Sequence, residues 1–222
     1  MKNSLSFAFI FLWSSAFVTT KPIVDNSDPF SALAFRFLIV AIGFLIYAKY
    51  KKISLTLEKK ELSHSILSGV LFHGIYLGGV FYSVSLGIPT GITALIVTMQ
   101  PILTNALAGP ILNEKVGWRQ WVGVILGFTG AAIVLGFDFG ESLPSVGIIA
   151  SFIALASITS ATLLQKKFGG NAPLPVSNMY QAAGGCMFHI LIVIFFADAF
   201  INFNKTFLIC LLYTSDAADE RL

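Results

Sequence analysis

Residues 30–50 read FSALAFRFLIVAIGFLIYAKY, an apolar stretch interrupted by a single charge, Arg36, before Lys49. Crossing the roughly 30 Å of bilayer hydrocarbon takes about 20 apolar residues in a helix, and this stretch supplies them without the strict alternation of a barrel strand. Six more runs of the same kind flank it, from Leu5 to Val24, Leu62 to Leu86, Thr90 to Leu112, Val116 to Phe137, Val146 to Leu164 and Val176 to Phe196. An eighth apolar stretch starts near Phe207 and is broken off. Lipid offers backbone groups no partner, so each run is predicted to be a helix that satisfies its own N–H and C=O groups. The expected fold class is an all-α integral membrane protein, a bundle of seven transmembrane helices. Composition agrees, because 56% hydrophobic against 11% charged residues is far from the roughly 25% charge of a soluble domain.

The same composition excludes several classes of function. A net charge of +3 without a basic run among exposed aromatics leaves no electrostatic footprint for nucleic acid. Cys186 and Cys210 have no Cys-x-x-Cys spacing, which argues against a disulfide framework and a cysteine zinc site. His64 and His73 point to opposite helix faces, and His189 has no acid or cysteine three or four residues on, so no metal is expected. A Gly-x-Ser-x-Gly elbow, an HExxH pair, a phosphate-cradling glycine loop and a pair of membrane-embedded acids are all missing from the sequence, and the chain is predicted to be neither an enzyme nor a cofactor binder.

Charge between the runs sets an expected orientation. Lys49, Lys51, Lys52, Lys59 and Lys60 follow the second run, Lys115 and Arg119 the fourth, and Lys166 and Lys167 the sixth. Asp25, Asp28, Asp138, Glu141 and Asp198 occupy the alternate loops, with Lys21 and Lys205 as the basic residues there. Basic loops stay cytoplasmic, so the N-terminus is predicted to be cytoplasmic. The first run continues through Thr19 and Thr20 to Lys21-Pro22 without a small-x-small cleavage site and reads as a span rather than a signal peptide.

An offset of 144 to 145 residues sets Ser15-Ala16 on Ser160-Ala161, Lys21 on Lys166 and Asp28-Pro29-Phe30 on Ala172-Pro173-Leu174. Five helices separate the copies, so the second enters the membrane upside down, which is the inverted repeat used by many secondary transporters.

The segment Leu12-Trp13-Ser14-Ser15-Ala16-Phe17, with Lys21-Pro22 and Phe35-Arg36-Phe37 after it, resembles the opening of an EamA domain of the drug/metabolite transporter superfamily. Gln100-Pro101, Asn113-Glu114-Lys115 and Trp118-Arg119-Gln120-Trp121-Val122-Gly123 follow in the order and spacing of that family. Ser14 departs from it, standing where relatives usually carry glycine. The resemblance implies one five-helix repeat over residues 3–137 and an incomplete second repeat over 145–209. Family members have ten helices, and the resemblance therefore also implies that the natural product continues. Residues 210–222 resemble a reading frame of a sequencing-library adapter and place three acids after the eighth stretch. They are expected to be non-native, and the 222-residue chain alone is expected not to transport.

Polar groups in hydrocarbon are costly unless they face protein or water. Helical phase puts Trp13, Phe17 and Thr20 on one face of the first run and Thr93, Gln100 and Thr104 on one face of the fourth. His73 and Tyr76 lie about a turn apart in the third run near Gly69, and Ser151, Thr162 and Gln165 share a face of the sixth. The resemblance implies that these faces help to line a central cavity, with Trp13, Phe17, Thr20, His73, Tyr76, Thr93, Gln100, Thr104 and Thr162 as substrate-binding candidates. Packing is the competing reading for each: a threonine bonds its own i−4 carbonyl, and Gln100 satisfies a carbonyl freed by Pro101, where the fourth run is expected to break. His73 is the sharpest candidate, able to bind substrate, relay a proton or donate one structural hydrogen bond. Arg36 and Glu114 are assigned as structural charges, with Asp138 or Asp198 as candidate partners of Arg36; the competing readings of Arg36 are a side chain that snorkels to the interface or one that attracts an anionic substrate. Glycines at 78–79, 123, 127, 130 and 184–185 read as seams where helices approach closely. The expected activity is secondary transport of a small, amino-acid-like metabolite, by export, across the inner membrane. The alternative is a non-transporting membrane scaffold. The expected partners are the lipid bilayer and the small-molecule substrate, with a coupling proton as an option and the oligomeric state open.

Overall fold

The computed structural model describes residues 17–112, 117–135, 143–168, 172–196 and 199–211. In chain order the helices are α1 (17–24), α2 (Pro29–Tyr50), α3 (Lys59–Gly69), a π-helical segment (Val70–Tyr76), α4 (Leu77–Ser85), α5 (Thr90–Thr98), α6 (Gln100–Leu112), α7 (Trp118–Leu135), α8 (Ser145–Phe168), α9 (Leu174–Phe196) and α10 (205–211). α3, the π segment and α4 run on as one rod, Lys59–Ser85. Among the described residues five stretches are long and apolar enough to cross a membrane: Pro29–Tyr50, Lys59–Ser85, Thr90–Gly109, Ser145–Phe168 and Leu174–Phe196. The expected count of seven is thus matched in part, since much of the first run lies outside the described residues and α7 adds a further apolar helix where the fifth run was expected.

Local chemistry sets the boundaries. Asp28 caps α2, its Oδ2 accepting from the Ser31 N–H at 2.7 Å, and Pro29 occupies the first turn where its missing N–H costs nothing. Gly87, with φ +95°, makes the turn from α4 to α5 in a conformation other residues resist. The fourth run does break, but at Met99 rather than at Pro101. Proline's ring disfavours the helical conformation just before it and clashes with the carbonyl four residues back, so the interruption falls upstream of the proline itself.

α9 lies against α2, α3 and the π segment, while α8 lies against the π segment, α4, α5 and α6. The two helices read as second-repeat thus pack directly into the first-repeat bundle. The chain returns to its beginning through an antiparallel bridge between Ser27 and Ile201, flanked by Asp28 N–H to Phe200 O and Asn202 N–H to Asn26 O, both 2.9 Å. Asn204 caps α10, accepting from the Phe207 N–H at 2.8 Å. Phe207 and Leu211 are buried in one core with Ile23, Leu33, Phe37, Tyr76 and Ile158. Residues 212–222 lie outside the described residues.

The glycine seams divide. A Cβ on Gly184 would meet the Ile66 carbonyl at 2.8 Å, one on Gly79 the Ala150 carbonyl at 2.9 Å, and one on Gly69 would collide with the Gln181 backbone. Gly123, Gly127 and Gly130 of α7 meet nothing within 4 Å among the described residues. Among the described residues α7 packs mainly on α5 and α6.

Candidate functional site

The wide turn in the third span organises the polar centre. A π segment admits one residue more than α-helical pitch accommodates, and such bulges gather at functional sites. Here it carries His73 and Tyr76. The His73 ring lies 4.6 Å from that of Phe37 on α2, and Phe72 meets Tyr76 edge-on at 5.5 Å. Arg36, buried on α2, sits near both Tyr76 and His189 of α9, with its guanidinium 5.5 Å from the Phe37 ring centre. His189 is fully buried, its ring stacked on Phe37 with 6.0 Å between centres and its Nε2 3.0 Å from the His73 carbonyl. Three of the sequence-derived residues, Arg36, His73 and Tyr76, are therefore gathered into one aromatic and cationic cluster between α2, the π segment and α9.

The others fall into separate groups. Gln100 donates from Nε2 to the Thr162 hydroxyl at 2.8 Å, and that hydroxyl donates to the Ile158 carbonyl at 2.9 Å, joining α6 to α8 in a half-buried setting. Thr93 is fully buried and shares a hydroxyl network with Ser83 (3.2 Å), which in turn meets Ser151 at 2.8 Å. That network ties α4, α5 and α8, and it gives Thr93 a packing environment. The Thr104 hydroxyl is buried with no hydrogen-bond partner among the described residues. Phe17 packs against the core and Thr20 is buried. Gln165 donates to Gln181 of α9 at 3.3 Å, and Gln181 reaches Ser177, whose hydroxyl is 3.0 Å from Ser65 on α3. Trp13, Glu114, Asp138 and Asp198 lie outside the described residues.

Three contributors were not assigned to the site from the sequence: His189, weighed there only as a metal ligand, Ser157 and Ser83. Ser157 donates to the Leu71 carbonyl at 2.8 Å, so a second carbonyl of the π segment is bonded from a neighbouring helix. The available signal was a histidine in an otherwise apolar stretch, Met187-Phe188-His189-Ile190-Leu191, where a buried polar ring needs a reason.

An all-helical polytopic membrane protein, with charge and imidazole held between helices at depth, belongs to the class in which transporters are found. The EamA-like transporter family matches residues 2–136, and the chain belongs to that family. It is 26% identical to the uncharacterized transporter YvbV of Bacillus subtilis (strain 168), covering 96% of this chain and 70% of that one. It is 22% identical to a protein of Salmonella typhimurium named "Probable amino-acid metabolite efflux pump", over 77% of this chain and 55% of that one. An S-adenosylmethionine uptake transporter of Rickettsia prowazekii is 29% identical over 68% of this chain and 50% of its own length. The chain thus spans 50% to 70% of the length of these three relatives. A solved crystal structure matches the fold with a TM-score of 0.71 at 19% identity, covering 96% of this chain and 77% of that one. The three relatives are named as transporters, not as enzymes.

Proposed function

We propose that the protein is part or all of a secondary transporter that exports a small, amino-acid-like metabolite across the inner membrane by alternating access. The observation that carries this reading is the cluster of Arg36 on α2 with His73 and Tyr76 on the π-helical turn, where α9 packs against both. A cation, an imidazole and a phenol at that depth suit a ligand with a carboxylate and further polar groups. The names of the Salmonella and Rickettsia relatives agree on metabolite traffic and differ in direction, and export follows the Salmonella protein. Gln100 and Thr162 form a second polar contact along the same bundle and are assigned to the pathway with Thr104 and Phe17. His73 is the residue assigned to a coupling proton.

The basic loops support a cytoplasmic N-terminus. Cysteines introduced at Lys51 and Lys166 should label from the inside and those at Asp28 and Asp138 from the outside; labelling of the Lys51 position from outside would reverse this orientation.

The transport test pairs the 222-residue chain with a version extended from the gene, measuring efflux of an amino-acid panel from proteoliposomes. Efflux by the extended version, reduced in His73→Ala and Gln100→Ala with membrane abundance kept, is the expected result. Equal losses of activity and abundance would favour the scaffold reading. That alternative draws on one specific observation, the fully satisfied and buried Ser83–Thr93–Ser151 network, which is what helix association alone requires.

A further inference from the structure

His189 performs a task that neither the family match nor the transport reading assigns to it. A carbonyl oxygen only accepts, so the 3.0 Å contact to the His73 carbonyl places the proton on Nε2 and leaves Nδ1 as an acceptor. That Nδ1 is buried and finds no hydrogen-bond partner among the described residues. An apolar residue of the same volume would avoid the penalty of an unsatisfied buried acceptor. The imidazole is therefore placed at a cost, and the bond made by its other nitrogen is what offsets it.

The surroundings are shaped for that bond. Gly185, one turn before His189, brings α9 so close that an added Cβ would lie 2.5 Å from the His73 Cβ. Gly74 makes room for Phe188, and Gly78 makes room for His189 itself, at 3.1 Å from its Cε1. From a different neighbour, α8, Ser157 donates to the Leu71 carbonyl at 2.8 Å. Two carbonyls of the segment are met by donors from two different neighbours.

We propose that His189 is a positioning residue: its Nε2–H, donated to the His73 carbonyl, holds the π turn open and so sets the direction of His73 and Tyr76 and the rotational register of α3 beneath them. Calling His73 and Tyr76 pathway residues rests on the transport reading; the positioning of the turn does not. Without the external donor the extra residue is expelled from the turn, and α3 rotates by about 100° and shifts by about 1.5 Å relative to α4.

The experiment reads that register directly and needs no substrate. In the full chain carrying Cys186→Ser and Cys210→Ser, the pair Ser65→Cys/Ser177→Cys reports on α3, since the two hydroxyls are 3.0 Å apart. The pair Ser83→Cys/Ser151→Cys, with hydroxyls 2.8 Å apart, reports on α4 beyond the π segment. Each pair is oxidised in lipid nanodiscs with His189 intact, with His189→Leu, and with His189→Gln, whose amide retains an N–H at similar reach. His189→Leu should lower the Ser65/Ser177 cross-link about threefold or more by turning that face away, while the Ser83/Ser151 yield holds. His189→Gln should restore the first pair. Unchanged yields in His189→Leu, a parallel fall in both pairs, or a His189→Gln variant that behaves like His189→Leu would each overturn the proposal. Because the readout is geometric, the same yields are expected whether or not the protein moves any metabolite.

Discussion

Gly69 ends α3 and Gly127 lies midway along α7, both with further glycines nearby in their spans, yet they meet opposite environments. A Cβ at Gly69 would run into the Gln181 backbone of α9; at Gly127 it would meet nothing within 4 Å among the described residues. The hydroxyls follow the same division. Ser83 sits in a fully buried network across three helices, whereas Thr129 on α7 donates to its own Ile125 carbonyl at 2.8 Å from an exposed position. The region where α8 and α9 pack against α2 to α6 is thus closely interlocked, whereas among the described residues α7 is held mainly through α5 and α6. Glycine in a membrane helix signals a capacity for close approach, and whether another helix uses it is a property of the assembled bundle.

The comparison is most exposed at Gly69. Gly69→Ala forces a backbone displacement at the α3–α9 contact and should destabilise the protein by about 3 kcal/mol or more, beyond the usual range for overpacking. Unfolding in detergent measures it, and a wild-type midpoint would show that the seam is not tight. Gly185→Ala is expected to cost somewhat less, about 1–3 kcal/mol, because the obstructing group is the His73 side chain and its turn rather than a carbonyl. Ser83→Ala leaves two buried hydroxyls with one partner fewer and should cost about 1 kcal/mol by the same measurement. On α7 the sign reverses: Gly127→Ala adds a methyl in open space and improves helix propensity, for a gain of up to about 1 kcal/mol. A loss there would reveal a helix packed on that face in the membrane. The smallest effect is expected for Thr129→Ala, within about 0.5 kcal/mol of zero, since its hydrogen bond is to its own helix.

Much of the architecture was legible because the bilayer imposes a simple rule. Apolar length bounded by charge located Pro29–Tyr50, Ser145–Phe168 and Leu174–Phe196 to within a few residues, and the family motifs from Leu12 to Gly123 predicted the match over residues 2–136. The candidate site was legible only in parts. Arg36, His73 and Tyr76 stand out as polar residues in apolar runs, but a 3.6-residue phase argument assumes an unbroken α-helix. It therefore missed the π segment that carries His73 and Tyr76, and the interruption at Met99 that separates Thr93 from Gln100.

The sequence by itself determined that this is a polytopic helical membrane protein of the EamA-like transporter family, because hydropathy, loop charge and ordered motifs are local quantities that need no partner to be read. Only the tertiary structure decided which glycines are buried in seams, that Gln100 meets Thr162 and Thr93 meets Ser83, and that His189 bonds the carbonyl of His73 from a helix more than a hundred residues away in the chain. Those facts depend on how helices face one another. In lipid, where every helix is apolar all round, the pattern of hydrophobic residues no longer marks the inward face.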